Sequence, residues 1–262
     1  MLCRRRSFNT QSSAAWDERT EQGYATNNEE CQMAYGFRVY TKRSLPAASI
    51  VEQFRTIPVS NIGDSINRLG IMHERLRLFS KPGANMAGVA LTVTAREGDN
   101  LMMHKALNMA EKGDIIVVAN GGRNRSLAGE IMVAYAAGKG VAGIVIDGPI
   151  RDCATIADMD IPVYATGVTP RGPYKAGPGE VNVPVSCCGV AVNPGDILVG
   201  DPDGVIVIPA EDEEIILRLA QDFQKKDAAK YEAAKAGKAD RSWVDKELAG
   251  LGCEIIDGMC PQ

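Results

Sequence analysis

Three charged residues stand at the two ends of one predicted helix–strand unit, where their side chains could do chemistry. Glu130 begins a helix after Gly129, and after twenty intervening residues Arg151 and Asp152 begin the next helix. Because a helix, a tight turn and a strand fold back on themselves, we expect the two ends of this unit to meet. That end would carry two carboxylates, one guanidinium and the N–H groups of a helix N-terminus.

These groups suit a small anion bound beside a divalent cation. A guanidinium such as that of Arg151 can hold a carboxylate with two parallel bonds, and free N–H groups at Ile131 and Met132 also favour an anion. The carboxylate of Asp152 suits a hard cation such as Mg²⁺, which keeps several waters when few side chains bind it. The pattern therefore indicates a keto acid bound to a metal. The structural alternative is that Glu130 and Asp152 only stabilise helix N-termini.

The rest of the chain must supply elements that position these residues. Between Pro46 and Ile161, apolar periodicity and glycine punctuation predict helices that alternate with strands. The predicted helices span 46–55, 60–69 (capped by Ser60), 100–112 and 131–137, and the predicted strands span 86–95, 114–119 and 142–146. After Ile161, short strands and turns run without a helix until Glu211, where a charged helix extends to Ala236. We predict mixed sheets, the second half of the chain supplying a second sheet.

Polarity divides the chain into three predicted parts. Residues 1–32 are rich in Ser, Thr, Asn, Gln and Glu without an apolar period, which predicts a flexible extension. One domain is predicted over 33–236 and a polar tail over 237–262. With 262 residues, of which 45% are apolar, the chain can bury a core.

Composition argues against several classes of function. A net charge of -4 without a basic cluster disfavours nucleic acid as a partner. No run approaches the roughly 18 to 20 apolar residues of a spanning helix, and no secretion signal is evident, so we predict a cytoplasmic protein without a membrane partner. Seven cysteines without repeated spacing favour neither disulfides nor zinc. His73 and His104 lack a nucleophile motif, and we interpret both as structural.

The stretch from Ser60 to Pro209 resembles the family named after the regulator of ribonuclease E activity. The resemblance is carried by Gly129-Glu130 and by Arg151-Asp152 within GIVIDGPIRD. It is supported by PVSNIGDSINR, IPVYATG, GPGEVNVPV and GVAVNPGDILVGDPDGVIVIP. In order and spacing these segments are similar to the enzymatic branch, the 4-hydroxy-4-methyl-2-oxoglutarate / 4-carboxy-4-hydroxy-2-oxoadipate aldolases. Those enzymes often carry Asp where this chain has Glu130.

The resemblance implies an α/β fold with a ββα three-layer, swivelling-domain-like core and mixed sheets, assembled as a homotrimer or homohexamer. It implies a class II lyase of aromatic compound catabolism that uses Mg²⁺ or Mn²⁺. Such an enzyme cleaves a 4-hydroxy-2-oxo dicarboxylic or tricarboxylic acid to pyruvate and a second keto acid, with oxaloacetate decarboxylation as a side activity. The implied catalytic residues are Arg151, Asp152 and Glu130, the implied metal ligand is Asp152, and the implied substrate-binding residues are Gly129, Glu130, Ile131, Met132 and Arg151.

Two other functions stay open. A non-catalytic regulator would use the same fold to bind a partner, but it has no need to keep Glu130, Arg151 and Asp152 together. A keto-acid decarboxylase shares the enolate intermediate with an aldolase, so the motif does not separate these two activities.

Several other charged residues receive weaker assignments. Arg123, Arg125 and Arg171 are candidates to bind a second substrate carboxylate, although none belongs to a motif. Asp147, which precedes Gly148, is interpreted as a turn residue. Lys105 and Lys139 lack the context of a Schiff-base lysine, which disfavours a class I aldolase.

Overall fold

Arg151 and Asp152 directly follow a strand of a mixed sheet in the computed structural model, which describes residues 35–83, 85–122 and 124–260. The predicted extension over 1–32 lies outside the described residues. The described helices are α1 (Ala48–Phe54), α2 (Val59–Ser65), α3 (Leu101–Met109), α4 (Glu130–Gly138), α5 (Cys153–Ile156), α6 (Glu213–Lys235) and α7 (Ser242–Gly250). The described strands are β1 (Arg77–Leu78), β2 (Met86–Ala95), β3 (Asp114–Ala119), β4 (Gly143–Ile150), β5 (Val163–Val168), β6 (Gly179–Val181), β7 (Val185–Cys187), β8 (Val190–Val192), β9 (Ile197–Asp201) and β10 (Gly204–Ile208).

The main sheet has a parallel centre and antiparallel edges. Its order is β1-β5-β4-β3-β2-β9-β10, and β6 pairs with the second half of β2. Strands β2 to β5 are mutually parallel, and helices α3, α4 and α5 connect them in turn. The carboxyl ends of these strands therefore meet at one edge, where open α/β sheets commonly bind ligands.

Three layers bury the apolar residues. The central strands are apolar on both faces, as a sheet covered on both sides requires. On one face, Leu91 and Ile116 pack with α3 and α4. On the other face, Ile115 and Val117 pack with the separate β7–β8 sheet, while α1, α2 and α6 cover β9 and β10. The chain is an α/β protein of the ββα three-layer type, as predicted.

The first half of the chain confirms most predicted elements. Strands 86–95 and 114–119 are confirmed residue for residue. Ser60 is not a helix cap, because α2 begins one residue earlier and the Val59 N–H donates to the Asp201 carboxylate at 2.9 Å. The helix also ends before 69, because Asn67 has the left-handed backbone that interrupts α-helix.

The second half differs more from the prediction. Strands β9 and β10 do not form a second sheet; they extend the main one, because the first half of the long strand β2 pairs with β9 between Met86 and Val89. Only β7 and β8 form the second sheet among the described residues. The predicted polar tail contains helix α7. In the part of the chain that the structure covers, no helix combines the length and the apolar content needed to cross a membrane.

Candidate active site

The start of α4 lies beside the end of β4, as the sequence predicts. Ala128 forms a parallel bridge with Ile150, and the Arg151 N–H donates to the Ala128 carbonyl at 3.0 Å. The Leu127 N–H donates to the Pro149 carbonyl at 2.9 Å. The loop before α4 therefore runs along β4 and brings the first turn of the helix to the residues that follow the strand.

Gly129 makes room for the charged pair. A Cβ atom at this position would overlap Asp152 Oδ2 and would lie 3.1 Å from Arg151 Nε. The backbone of Gly129 is extended, with φ at -141°, which any residue can adopt. Space, and not conformation, is therefore the reason for a glycine before Glu130.

Asp152 retains an unused carboxylate oxygen. Its Oδ2 accepts the Glu130 N–H at 3.2 Å and lies 3.4 Å from Arg151 Nε, whereas no described residue donates a hydrogen bond to Oδ1. Its side chain is 36% exposed. The backbone of Asp152 is left-handed, with φ at 58°, which costs about 1 kcal/mol or more and is often found at functional sites.

A cavity of about 160 Å³ opens beside this pair at the carboxyl edge of the sheet. It lies between the start of α3, the loop before α4, the end of β4 and the segment 173–175. Its lining residues are Asn100, His104, Ser126, Leu127, Ala128, Gly129, Ile131, Met132, Arg151, Asp152, Pro173 and Lys175. The cavity is therefore assembled from four separate parts of the chain.

Asn100 presents an unpaired polar atom in this wall. The residue is 2% exposed, and its Nδ2 donates to the Leu127 carbonyl at 2.8 Å. Its buried Oδ1 has no partner among the described residues, a state that typically costs 1–3 kcal/mol unless a ligand or a water pairs with it. The predicted helix 100–112 includes Asn100, whereas α3 begins at Leu101, and the Asn100 side chain makes no capping hydrogen bond to it.

His104 and Lys175 also line the cavity. His104 lacks a nucleophile motif and was predicted to be structural, and Lys175 belongs to no motif in the sequence. Burial lowers the pKa of His104 below its usual 6.5, and the nearby charge of Lys175 lowers this pKa further. The imidazole is therefore neutral at pH 7. The charged lining thus consists of Arg151, Lys175 and Asp152, which favours an anionic ligand.

The structure brings most of the predicted site residues to this cavity. The residues that line it are Gly129, Ile131, Met132, Arg151 and Asp152. Glu130 contributes its N–H to Asp152, but its side chain is not part of the described lining. The prediction of a free N–H at Met132 is wrong, because this group donates to the Gly129 carbonyl at 3.1 Å in a tightened first turn.

Two of the three arginines proposed for a second substrate carboxylate, Arg125 and Arg171, are not among the lining residues of the cavity. Arg125 donates to the Gly172 carbonyl at 2.8 Å and stacks on the Tyr174 ring, 3.9 Å from its centre. Arg171 uses its carbonyl oxygen to accept the Ser126 N–H and hydroxyl. Neither belongs to the lining among the described residues, and Arg123 lies outside them.

The donor set determines which metal could bind here. The described residues contain no group of three or more Asp, Glu, His or Cys side chains that could hold a metal ion. A closed zinc-type site is therefore absent from the described part of the chain. The single open carboxylate of Asp152 fits Mg²⁺ or Mn²⁺, because Mg²⁺ retains several waters and takes few protein ligands.

Comparison with known sequences adds independent information. The RraA-like family model, described as Aldolase/RraA, matches residues 59–207, more than half of the chain. A protein of Halalkalibacterium halodurans named "Putative 4-hydroxy-4-methyl-2-oxoglutarate aldolase" is 38% identical over 200 residues, which cover 76% of this chain and 95% of that protein.

Two solved structures of related proteins share the fold. RraAS2 of Streptomyces coelicolor, described as an unusual member of the RraA family, is 26% identical with a TM-score of 0.64; the match covers 71% of this chain and 98% of that one. The RNA-processing inhibitor RraA of Thermus thermophilus is 31% identical with a TM-score of 0.54, covering 58% of this chain and 92% of that one.

Proposed function

This chain belongs to the RraA-like (Aldolase/RraA) family, and we propose that it is a divalent-metal-dependent aldolase that cleaves a 4-hydroxy-2-oxo acid to pyruvate and a second keto acid. The observation that carries the proposal is the placement of Arg151 and Asp152 against Gly129 at a cavity with an unused carboxylate oxygen. The similarity to a named aldolase over most of the chain supports a lyase. A purely regulatory protein would not need this arrangement.

Cleavage of the substrate's C3–C4 bond requires positive charge, which explains an aspartate that can hold a cation and an arginine at this site. Breaking the C3–C4 bond leaves an electron pair on pyruvate as its enolate, so positive charge must lie beside the C2 oxygen. A divalent cation held by Asp152 would supply Lewis acidity there. Arg151 would bind the keto acid through its planar fork of N–H donors and add a second positive charge.

Other groups would orient the substrate and move protons. The pyruvyl carboxylate would lie at the N-terminal turn of α4, near the Ile131 N–H, where the helix dipole favours an anion. The unpaired Asn100 Oδ1 would accept a hydrogen bond from a substrate hydroxyl or a water. Glu130 would accept a proton from a water beside Asp152.

A lysine-based mechanism is the specific alternative to metal catalysis. Lys139 donates to the carbonyls of Leu107 and Asn108 at 2.9 and 3.0 Å, which explains it as a structural residue. Lys175, in contrast, lines the cavity and is the residue that a Schiff-base mechanism would use. The two mechanisms differ in whether they need a metal and in whether they form a covalent adduct.

The decisive experiment is a pyruvate-release assay on 4-hydroxy-4-methyl-2-oxoglutarate, 4-carboxy-4-hydroxy-2-oxoadipate and oxaloacetate. We expect turnover to disappear after treatment with EDTA and to return with Mg²⁺ or Mn²⁺, and we expect borohydride with pyruvate to leave the mass of the protein unchanged. A reduced adduct on Lys175 with metal-independent turnover would replace this mechanism. Turnover of oxaloacetate alone would establish a decarboxylase, and no turnover at all would favour a binding protein.

We further propose that the chain assembles as a homotrimer or a dimer of trimers. Ile131 and Tyr135 lie one turn apart on α4 and are 78% and 51% exposed, which suits a contact between copies. Light scattering coupled to size-exclusion chromatography tests this, and a monomeric mass at micromolar concentration would contradict it.

A further inference from the structure

The C-terminal arm, which we define as helix α7 and residues 251–259, exposes apolar side chains along its whole length. No residue of α7 is buried. Large apolar side chains of the arm are 59% to 95% exposed, namely those of Trp243, Leu251, Ile255, Ile256 and Met259. Single exposed apolar residues are ordinary, but a concentration of them in one segment is typical of an interaction surface. The arm lies outside the residues 59–207 that match the family model, so the fold shared by the family does not account for it.

Helix α6, which leads to the arm, extends beyond the body of the protein. Its buried residues, Ile216, Leu217 and Ala220, all lie in its first half. The last hydrogen bond between α6 and another described element joins Asn61 Nδ2 to the Asp227 carboxylate at 3.2 Å. From there to its end at Lys235 the helix continues for about 12 Å, at a rise of 1.5 Å per residue. Helices are only marginally stable in water without a packed face, so this part of α6 also needs a contact.

The arm and the second half of α6 carry opposite charges. The arm has four acidic residues and one lysine, which give a net charge of -3: Asp245, Lys246, Glu247, Glu254 and Asp257. Between residues 225 and 235, α6 has four lysines and two acidic residues, which give a net charge of +2: Lys225, Lys226, Lys230, Lys235, Asp227 and Glu232. The two surfaces therefore attract each other.

The outer face of α6 matches the arm in its apolar residues as well. Ile215 and Leu219 lie one turn apart on this face and are 53% and 44% exposed. Lys226 and Lys230 continue the same face, because the 11 residues from Ile215 to Lys226 complete about three helical turns. One stripe of α6 thus has an apolar end and a basic end. A segment that is apolar and acidic, such as the arm, fits this stripe by burial and by charge.

We propose that the arm of one copy packs on the outer face of α6 in a second copy of this chain, and that the second copy's arm packs on α6 of the first. The described residues of the same chain leave both surfaces exposed, and a second copy covers both at once. Two arms of net charge -3 repel each other, which disfavours a contact between arms.

This exchange of arms is a two-fold contact. It is separate from the contact proposed for Ile131 and Tyr135 on α4, and together the two contacts would join two trimers into a hexamer. It does not depend on the proposed aldolase activity.

The test exchanges the charges of the two surfaces. The arm variant carries Glu254→Lys and Asp257→Lys, and the helix variant carries Lys226→Glu and Lys230→Glu. Each variant alone brings like charges together at both contacts, so we expect light scattering coupled to size-exclusion chromatography in a reducing buffer to give half the wild-type mass at micromolar concentration. An equal mixture of the two variants should restore the wild-type mass, because each contact in the mixed pair then joins surfaces of opposite charge.

A control and a second measurement accompany this exchange. Lys42→Glu with Lys105→Glu makes the same change in charge at exposed lysines outside both surfaces and should leave the mass unchanged. In a Trp16→Phe background, Trp243 is the one remaining tryptophan. Its fluorescence should shift to longer wavelength in each charge variant and return to the wild-type wavelength in the mixture, since the contact buries its ring.

The other outcomes would overturn the proposal. An unchanged mass in both charge variants would show that the arm does not join copies. A lower mass that mixing does not restore would show that the charges act within one chain, and a buried Trp243 in a monomeric protein would show that the arm folds back on its own chain. Circular dichroism verifies that the variants are folded, which their exposed positions favour.

Discussion

The aspartates of two Arg–Asp pairs, Asp147 and Asp152, lie five residues apart at strand β4, and the two pairs differ in how many of their carboxylate oxygens accept hydrogen bonds. Asp147 lies within the strand with a side chain that is 10% exposed, and it pairs with Arg75. Asp152 follows the strand with a side chain that is 36% exposed, and it pairs with Arg151. We call them the closed pair, Arg75–Asp147, and the open pair, Arg151–Asp152.

The closed pair leaves no carboxylate oxygen unused. Arg75 Nη2 donates to both oxygens of Asp147 at 2.8 and 2.9 Å, and the Cys188 N–H donates to Oδ2 at 3.1 Å. The interpretation of Asp147 as a turn residue is wrong, because β4 continues through it to Ile150 and buries it.

The open pair has longer contacts, all on one oxygen of Asp152, and leaves the other oxygen for a ligand. A larger cavity, of about 730 Å³, borders Asp147 of the closed pair, so cavity size by itself would favour the pair whose carboxylate oxygens are already used. A carboxylate oxygen that accepts no hydrogen bond is therefore a better indication of a ligand site than an Arg–Asp pair or a cavity by itself.

The largest effect should come from removing the carboxylate of each pair. We expect Asp152→Ala to abolish Mn²⁺ binding and turnover while the fold stays intact, because it removes the one described carboxylate that lines the cavity. Asp147→Ala should retain Mn²⁺ binding but lower the free energy of unfolding by about 2 kcal/mol, because the buried Cys188 N–H loses its acceptor. Calorimetric titration and urea unfolding measure the two effects, and equal Mn²⁺ affinity in wild type and Asp152→Ala would contradict the assignment.

Replacing each arginine with lysine sharpens the comparison. Arg151→Lys should lower kcat about 10²-fold or more, because lysine cannot offer a planar two-pronged grip on a keto acid. Arg75→Lys is the matched control and should leave kcat nearly normal, since neither residue of the closed pair lines the cavity proposed to bind the substrate. Steady-state kinetics on both variants decide this, and a nearly normal kcat in Arg151→Lys would remove Arg151 from the proposed mechanism.

Variants of Glu130 test whether Asp152 of the open pair works with a second acid. Glu130→Gln should retain metal affinity but lose turnover about 10²-fold, because an amide can orient a water without taking its proton. Glu130→Asp should recover much of the activity, since related aldolases often carry Asp there. Loss of Mn²⁺ affinity in Glu130→Gln would make Glu130 a metal ligand, and unchanged turnover would leave it only a helix-start acid.

Adding one methyl group should disturb the open pair alone. Gly129→Ala places a Cβ against Asp152 Oδ2 and Arg151 Nε, both on flexible side chains, so we expect about a tenfold loss of kcat/KM with little loss of stability. Gly138→Ala, at the other end of α4, is the control, because a Cβ there meets nothing within 4 Å. Thermal unfolding and kinetics on the two variants separate stability from activity, and equal kcat/KM would show that Gly129 is not needed for space.

The smallest effect concerns the pH dependence of stability. The pKa of His104 is lowered in the folded state, so the unfolded chain binds more protons below about pH 6.5, and the free energy of unfolding falls as the pH decreases through that value. His104→Gln should flatten this dependence. Urea unfolding between pH 5 and pH 8 measures it, and identical pH dependence in both proteins would contradict the burial of His104 beside the open pair.

The local elements of this protein follow from the sequence itself. Strands 86–95 and 114–119 were predictable because continuous apolar runs between glycines report burial on both faces. The unit from Gly129 to Asp152 was also predictable from local sequence. Its helix and its strand are joined by a tight glycine turn, so the strand runs back along the helix and the two ends of the unit meet. The meeting of its two ends, and with it the open pair, therefore came from residues that are close in sequence.

Contacts between distant segments were decided only by the tertiary structure. Asn100, His104 and Lys175 reach the cavity from α3 and from the segment 173–177, and no periodicity in the sequence connects those parts with β4. The partner of Asp147, Arg75, is 72 residues away. Sequence patterns describe how a residue is buried and which backbone it favours, whereas the partner it meets depends on how the layers pack. For that reason the sequence predicted where an acid and an arginine stand together, and the packing decided which pair kept an oxygen free.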